Sequence, residues 1–354
     1  MILKKPIKFI LISVVLIISI ACCMLPKHYE GSIEQTLQEG IIIYDQGVQD
    51  LILKVDPKIT GQAKLDNICW LITVPNEPDK YDVCDESIFE TMYYLRRLHL
   101  VKKRSNTSIG CSKSSEDKAM DAAEGIEGVE LGKFVQVGDY DIRPVRGVGK
   151  HALSGLNKWL EQNGFPTEPE DHMKYFVDKK FTFLCIKVNS QEGGIASRPE
   201  LKPLHLTFKS DEVYYPMKYS SQQGDFSANI YTITSMPIDF IQSKGVLERL
   251  NWRSQRLKKN VNLAKKSIPG DLNQIIGKDK PYLYFNNFRC AHPNYKKAIS
   301  KWEEDVFFKL NDSHWANAAN QMQGISWVRT GLLAFTLAFI IFIAVRKWKK
   351  TYAS

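Results

Sequence analysis

Histidines and carboxylates are the first residues to ask for chemistry in this 354-residue chain. The seven histidines stand at positions 28, 99, 151, 172, 205, 292 and 314. No two are four residues apart, so no single helix face offers an imidazole pair to zinc. The tightest acid groups are Asp211-Glu212 and Glu303-Glu304-Asp305. Neighbouring side chains on a strand or helix point apart, so neither group makes a carboxylate clamp unaided. Asp211-Glu212 reads as a turn. Gly147-Val148-Gly149-Lys150-His151 invites comparison with a phosphate loop. However, Pro144 occupies the place of the first glycine and His151 that of the Ser or Thr that would hold magnesium. Ser154 lacks the flanking glycines of a nucleophile elbow. These residues call for no cofactor and no metal. A catalytic site would have to be assembled from distant positions, with His151, His205, Asp211, Glu212 and Cys111 as its first candidates. His205 lies beside Thr207 in an alternating stretch and reads as a half-exposed strand residue.

Cysteine chemistry is equally sparse. Cys69, Cys84, Cys111, Cys185 and Cys290 lie between the two apolar ends of the chain, and no Cys-x-x-Cys occurs. An odd count leaves at least one thiol unpaired. Cys69 and Cys84 are nearest in sequence and could staple adjacent elements. Cys185, in FTFLCIKV, reads as a buried small hydrophobe.

The elements that must position these residues follow from periodicity. Gly40–Asp45 and Val48–Asp56 read as strands joined at Gly47, after a polar lead over 26–39. Asn67–Val74 is a strand stopped by Pro75 and Pro78. Ser87–Val101 has helical spacing, with Ile88, Met92, Leu95 and Leu98 on one face and Asp85 or Ser87 as cap. Lys102–Glu130 reads as a long surface loop. Lys133–Val145 is a hairpin turning at Gly138-Asp139. Lys150–Asn163 is a helix striped by Leu153, Leu156, Trp159 and Leu160 and closed by Gly164. Glu170–Asp178 is a second helix and Phe181–Asn189 a buried strand, followed by a loop over Ser190–Pro199. Leu204–Lys209 is a strand, with Tyr214–Tyr219 and Phe226–Ser235 expected to pair near it. Pro281–Arg289 reads as a strand, Asn294–Leu310 as a helix and Asn311–Gly324 as a polar stalk. The sum is α+β, a mixed or mostly antiparallel sheet with packed helices.

Charge sets the topology. The formal net charge is +9, and hydrophobic residues make up 44% of the chain. Lys4, Lys5 and Lys8 precede an apolar run from Phe9 to Leu25, and Arg329, Arg346, Lys347, Lys349 and Lys350 flank the apolar Trp327–Val345. Those eight residues leave a net charge of only +1 for the middle of the chain, which excludes a general nucleic-acid footprint. At about 1.5 Å per residue, roughly 20 helical residues cross the hydrocarbon core, so residues 325–346 form a transmembrane helix with a tail over 347–354. Residues 1–25 are a signal peptide, cut after Ala21, or a retained membrane anchor. Basic flanks at both ends put the domain of residues 26–235 and its extension, 236–324, on the outer face.

One stretch is locally polarised. Lys244–Lys266 has eight basic residues and one acid, Glu248, with Leu247, Leu250, Ser254, Leu257, Val261 and Ala264 at helical spacing. It reads as a basic amphipathic helix whose Arg249, Arg253, Arg256, Lys258 and Lys259 could dock on an anionic envelope partner or an acidic protein. The expected function is that of a membrane-tethered extracytoplasmic binding domain; the alternative is an envelope enzyme whose site shows no sequence motif.

Three stretches carry a resemblance: Asn67–Pro78 (NICWLITVPNEP), Gly155–Phe165 (GLNKWLEQNGF) and Lys202–Lys218 (KPLHLTFKSDEVYYPMK), with FTFLCIKVN before the last. Together they resemble the bacterial secreted family called domain of unknown function 2330, over roughly residues 38–235. The resemblance implies a signal peptide, one extracytoplasmic domain and often a C-terminal membrane helix. It implies no catalytic residue. The chain departs from the family at Thr73, where proline is common, and in the Lys102–Glu130 insertion.

Overall fold

The computed structural model describes residues 23–24, 31–61, 68–100, 126–188, 201–220, 227–250, 260–263, 272, 275–276, 283–290 and 304–311. The expected signal peptide or anchor, the transmembrane segment 325–346, the stalk beyond Asn311 and the loop Ser190–Pro199 lie outside these residues, apart from the short strand β1 (Cys23–Met24). Among the described residues no helix is long and apolar enough to cross a membrane.

The described residues form two large sheets, a two-stranded ribbon and four helices. The first sheet runs β1, β4 (Cys69–Val74), β9 (Thr182–Val188), β8 (Tyr140–Gly147), β6 (Val129–Leu131), with β7 (Val135–Val137) also paired to β8. The second runs β13 (Val261–Asn262), β14 (Tyr284–Cys290), β12 (Ser227–Thr234), β2 (Gly31–Asp45), β3 (Val48–Gly61), β10 (Leu204–Lys209), β5 (Lys80–Val83). Among the described residues every pairing is antiparallel except the parallel contact of β12 with β2. The ribbon pairs β11 (Val213–Tyr215) with β15 (Val306–Phe308).

Strand alternation decides how the layers stack. On one face of the first sheet Trp70, Ile72, Leu184 and Ile186 meet Ile42, Leu51, Leu53, Leu204 and Leu206 of the second sheet in one apolar cluster. The opposite face of the second sheet carries Ile41, Ile43 and Ile52. It is covered by Ile88, Phe89, Met92 and Leu95 of α1 (Ser87–Leu100), the i, i+4, i+7 stripe of that helix. The outer face of the first sheet carries Phe183 and is covered by α2 (Ala152–Gln162) and α3 (Glu170–Asp178), with Phe176 and Phe183 rings 5.8 Å apart. The architecture is thus α+β with mostly antiparallel strands, as the periodicity predicts.

Local chemistry explains the ends. Gln46 and Gly47 both have positive φ, 48° and 81°, which is the twist-matched two-residue hairpin. Asp85 accepts the Ser87 N–H at 2.9 Å and starts α1. Gly164, at φ 79°, closes α2, and Trp70 and Trp159 are both buried core anchors.

Several expectations change. The polar lead is already strand from Gly31, because β3 continues to Gly61 opposite it. The expected loop ends at Val129, where β6 pairs with β8; residues 101–125 lie outside the described ones. Tyr214–Tyr219 and Phe226–Ser235 do not join Leu204–Lys209: β11 pairs with β15, and β12 with β2 and β14. The basic helix does not run from Lys244 to Lys266. The described helix α4 covers Lys244–Arg249. After residues 251–259, which are outside the described set, Asn260 turns with φ 48° and Val261–Asn262 is a strand. The helix expected to Leu310 is replaced at its end by β15, because Val306 and Phe308 are buried at a strand's period of two and pair with β11.

Candidate functional site

The sequence candidates are dispersed. His151 precedes α2, half exposed, with Nε2 3.7 Å from Glu127. Ser154 donates its hydroxyl to the His151 carbonyl at 3.2 Å. Asp211 and Glu212 occupy the turn between β10 and β11, as expected, and Glu212 is ion-paired with Lys309. Arg249 ends α4 in an ion pair with Glu304, while Arg253, Arg256, Lys258, Lys259 and Cys111 lie outside the described residues. Cys69 and Cys185 are free thiols; burial pushes Cys69 up to about 11 and Cys185 well above the usual range. The staple between Cys69 and Cys84 is therefore not formed.

His205 is buried, not half exposed. Its Nε2 lies 2.9 Å from Asp50 Oδ1, and the Thr207 hydroxyl donates to the same oxygen at 2.6 Å. Register creates the group: Thr207 stands opposite Asp50 on β3 and His205 is two residues back on the same face of β10. Burial would raise Asp50. The hydrogen bonds from His205 and Thr207, with the charges of His205 and Lys80, outweigh burial and hold the carboxyl below its ordinary value.

A second group gathers where the ribbon meets α3. Asp305, fully buried, accepts the N–H groups of Met217 and Lys218 on Oδ1 at 2.8 and 2.7 Å. Its Oδ2 lies 2.9 Å from the Tyr214 hydroxyl, which is also 2.8 Å from the Thr73 carbonyl. Lys179 and Lys218 each stand over the Tyr175 ring, at 5.2 and 5.3 Å. Thr73 is buried with its hydroxyl 3.5 Å from that of Tyr214.

The third group is the candidate site. Asn157 of α2 grips the backbone of Glu168 twice, donating to its carbonyl at 2.8 Å and accepting its N–H at 2.9 Å. That fixes Glu168 one turn before His172, whose Nδ1 lies 3.4 Å from Glu168 Oε2. The His172 ring packs on Tyr219, centroids 4.5 Å apart, and Phe176 packs on Tyr219 at 5.2 Å. Glu168, His172 and Tyr219 are 4%, 6% and 1% exposed. Yet Glu168 Oε1, His172 Nε2 and the Tyr219 hydroxyl have no hydrogen-bond partner among the described residues. Burial, reinforced by Glu168 and Cys185, raises the Tyr219 phenol well above its usual value, so it stays a neutral hydroxyl. With its proton on Nδ1, facing Glu168, the imidazole presents Nε2 as a lone pair. The cluster thus offers two acceptors and one hydroxyl donor within an aromatic wall. Among the described residues no group of three His, Cys, Asp or Glu side chains could hold a metal ion.

Sequence reasoning passed over this cluster. A search for histidine pairs misses Glu168 and His172, a carboxylate and imidazole four apart, and Tyr219 comes from 47 residues further along. The i, i+4 spacing was the one signal available.

The family described as "Uncharacterized protein conserved in bacteria (DUF2330)" matches residues 21–272. The chain belongs to this family. The match to the DUF2330 family takes in β1 to β13 and all three polar groups except Asp305. No curated protein matches the chain in sequence. Among solved structures, that of baculovirus P35 aligns with a TM-score of 0.37 at 12% identity, over 79% of this chain and 97% of that one. The caspase-8/P35 complex gives 0.36 at 11% identity, over 78% and 96%. Both scores are too low to bear on fold or activity.

Proposed function

We propose that this chain is a membrane-tethered extracytoplasmic domain that acts by binding. The tether reading is supported by Trp327–Val345 and the basic residues that follow it, and by Lys4, Lys5 and Lys8 before the first apolar run. The binding reading is carried by the Glu168–His172–Tyr219 cluster. A buried polar atom without a partner costs about 1–3 kcal/mol, and three such atoms on side chains in mutual contact mark a place where a guest completes the bonding. The complementary guest is small and neutral, donates twice and accepts once. A small primary amide has this pattern of two donors and one acceptor.

The test is mass spectrometry of small molecules released on denaturing the purified full chain, beside Glu168→Gln and His172→Phe. A species carried by the native chain and lost from both variants supports the site. The same released species from all three overturns it, as does a native chain that releases none.

A second surface rests on a separate observation, the eight basic residues of Lys244–Lys266 against a net charge of −6 for the rest of the outward region. This segment docks on anionic lipid headgroups. Replacing Arg253, Arg256, Lys258 and Lys259 by Glu lowers recruitment to liposomes containing anionic lipid; equal recruitment removes the segment from the proposal. Arg249, already paired with Glu304, contributes least.

A further inference from the structure

The Asp305 group poses a problem of proton number. The Tyr214 hydroxyl has one hydrogen and two close acceptors, the Thr73 carbonyl at 2.8 Å and Asp305 Oδ2 at 2.9 Å. With an ionised Asp305, Tyr214 can donate fully to only one of the two. With a proton on Oδ2, the count closes: Asp305 donates to Tyr214, Tyr214 donates to Thr73, and Oδ1 keeps the Met217 and Lys218 N–H groups. The chain of bonds then runs from the start of β15, past β11, to β4.

We propose that the Asp305 carboxyl is a proton-operated latch that tightens the C-terminal strand β15 onto the domain when it is protonated and loosens it when ionised. The latch acts at the strand from which the chain continues toward Trp327–Val345, the last strand described before that segment. It operates whether or not Glu168, His172 and Tyr219 hold a ligand.

The surroundings set where the latch works. From the β11 side come Tyr214 and Lys218, from α3 Tyr175 and Lys179, and from β4 Thr73. Tyr175 accepts the Asp305 N–H at 3.2 Å, and Glu304 beside it is paired with Arg249 of α4. Lys309 and Glu212 flank the far end of β15. Burial pushes the carboxyl up to about 6, against the downward pull of the two backbone N–H groups, Tyr214 and Lys218. An acid raised in the folded state binds a proton that the open state has released, so closure strengthens as pH falls through about 6 and levels off near the ordinary value of 3.8.

Hydrogen exchange of the full chain in detergent micelles tests this directly. After correction for intrinsic rates, protection of the Val306, Phe307 and Phe308 amides rises roughly tenfold between about pH 7.5 and pH 5, the full effect of a shift from 3.8 to about 6, about a hundredfold, being reached only near pH 3.8. Asp305→Asn supplies an N–H where the protonated acid has O–H, so it is protected at both pH values and loses the dependence. Protection in the native chain that is flat or falls on acidification overturns the latch. So does an Asp305→Asn chain that keeps the native profile. Should that variant fail to fold, carbon-13 titration of the native Asp305 carboxyl decides: a midpoint near 6 supports the latch, and one near the ordinary value of about 4 overturns it.

Discussion

Asp50 and Asp305 are both carboxylates drawn into the interior, and they are pushed in opposite directions. Asp50 sits on the face of the second sheet that α1 covers, 20% exposed at the side chain, and takes its bonds from His205 and Thr207. Neither donor is claimed by a second acceptor in that group, and the imidazole can add charge. Asp305 is fully buried, and its side-chain donor is a tyrosine whose single hydrogen is also wanted by Thr73. Burial acts on both. What separates them is depth: at the fully buried Asp305 burial wins over two backbone N–H groups, Tyr214 and Lys218, whereas at the partly exposed Asp50 the bonds from His205 and Thr207 with the charges of His205 and Lys80 outweigh it.

The largest way to break this contrast is to remove the Asp305 side chain. Asp305→Ala orphans the buried Met217 and Lys218 N–H groups and unties Tyr214, at about 1–3 kcal/mol for each lost partner. Chemical denaturation should therefore show a loss of about 3–5 kcal/mol; a loss under 1 kcal/mol would mean that the ribbon is not held by this residue.

The two acids should also separate on a pH axis. The raised value of Asp305 gives stability that grows as pH falls through about 6, worth about 3 kcal/mol at full effect. The depressed value of Asp50 gives stability that is present above the ordinary carboxylate range and lost as pH falls through its folded value. Stability measured from about pH 8 to pH 3 should thus rise first and fall later. Asp305→Asn should flatten the rise and leave the fall, and Asp50→Asn should do the reverse. If either variant alters both limbs equally, the two groups are coupled and the contrast fails.

A smaller effect, about 1–3 kcal/mol, is expected from Gly40→Ala. A Cβ at that position would run into the buried Tyr215 ring, which lies across β2. Thermal unfolding checks this, and the cost should be equal at pH 5 and pH 7.5, since no titrating group is involved. The smallest effect belongs to Arg249→Ala. Its pair with Glu304 is partly exposed, and such pairs contribute about 0–1 kcal/mol. A loss above 2 kcal/mol would show that Glu304 and Asp305 act as one unit.

Much of the fold was legible in the chain. Period-two runs such as LHLTFK and the helical stripes of α1, α2 and α3 were readable because each element's buried face is written in its own residues. Glu170–Asp178 is a helix over the range its pattern predicts. What misled were short segments whose partners are remote. Val306–Phe308 follows an acidic, helix-like stretch, and only β11, some 90 residues earlier, makes it a strand. The basic run after Arg249 kept helical spacing through Val261, yet Val261–Asn262 is taken by β14.

The same division holds for the polar groups. Composition and spacing determined the apolar ends, the distribution of charge and most elements, because these properties are local. They did not determine which buried acid would be neutral. Asp305 meets Tyr214, Tyr175 and Thr73 from three other elements, and Glu168 and His172 gain Tyr219 only when the chain after β11 folds over α3. A pKa and an unpartnered atom are sums over neighbours in space, so only the tertiary structure could set them.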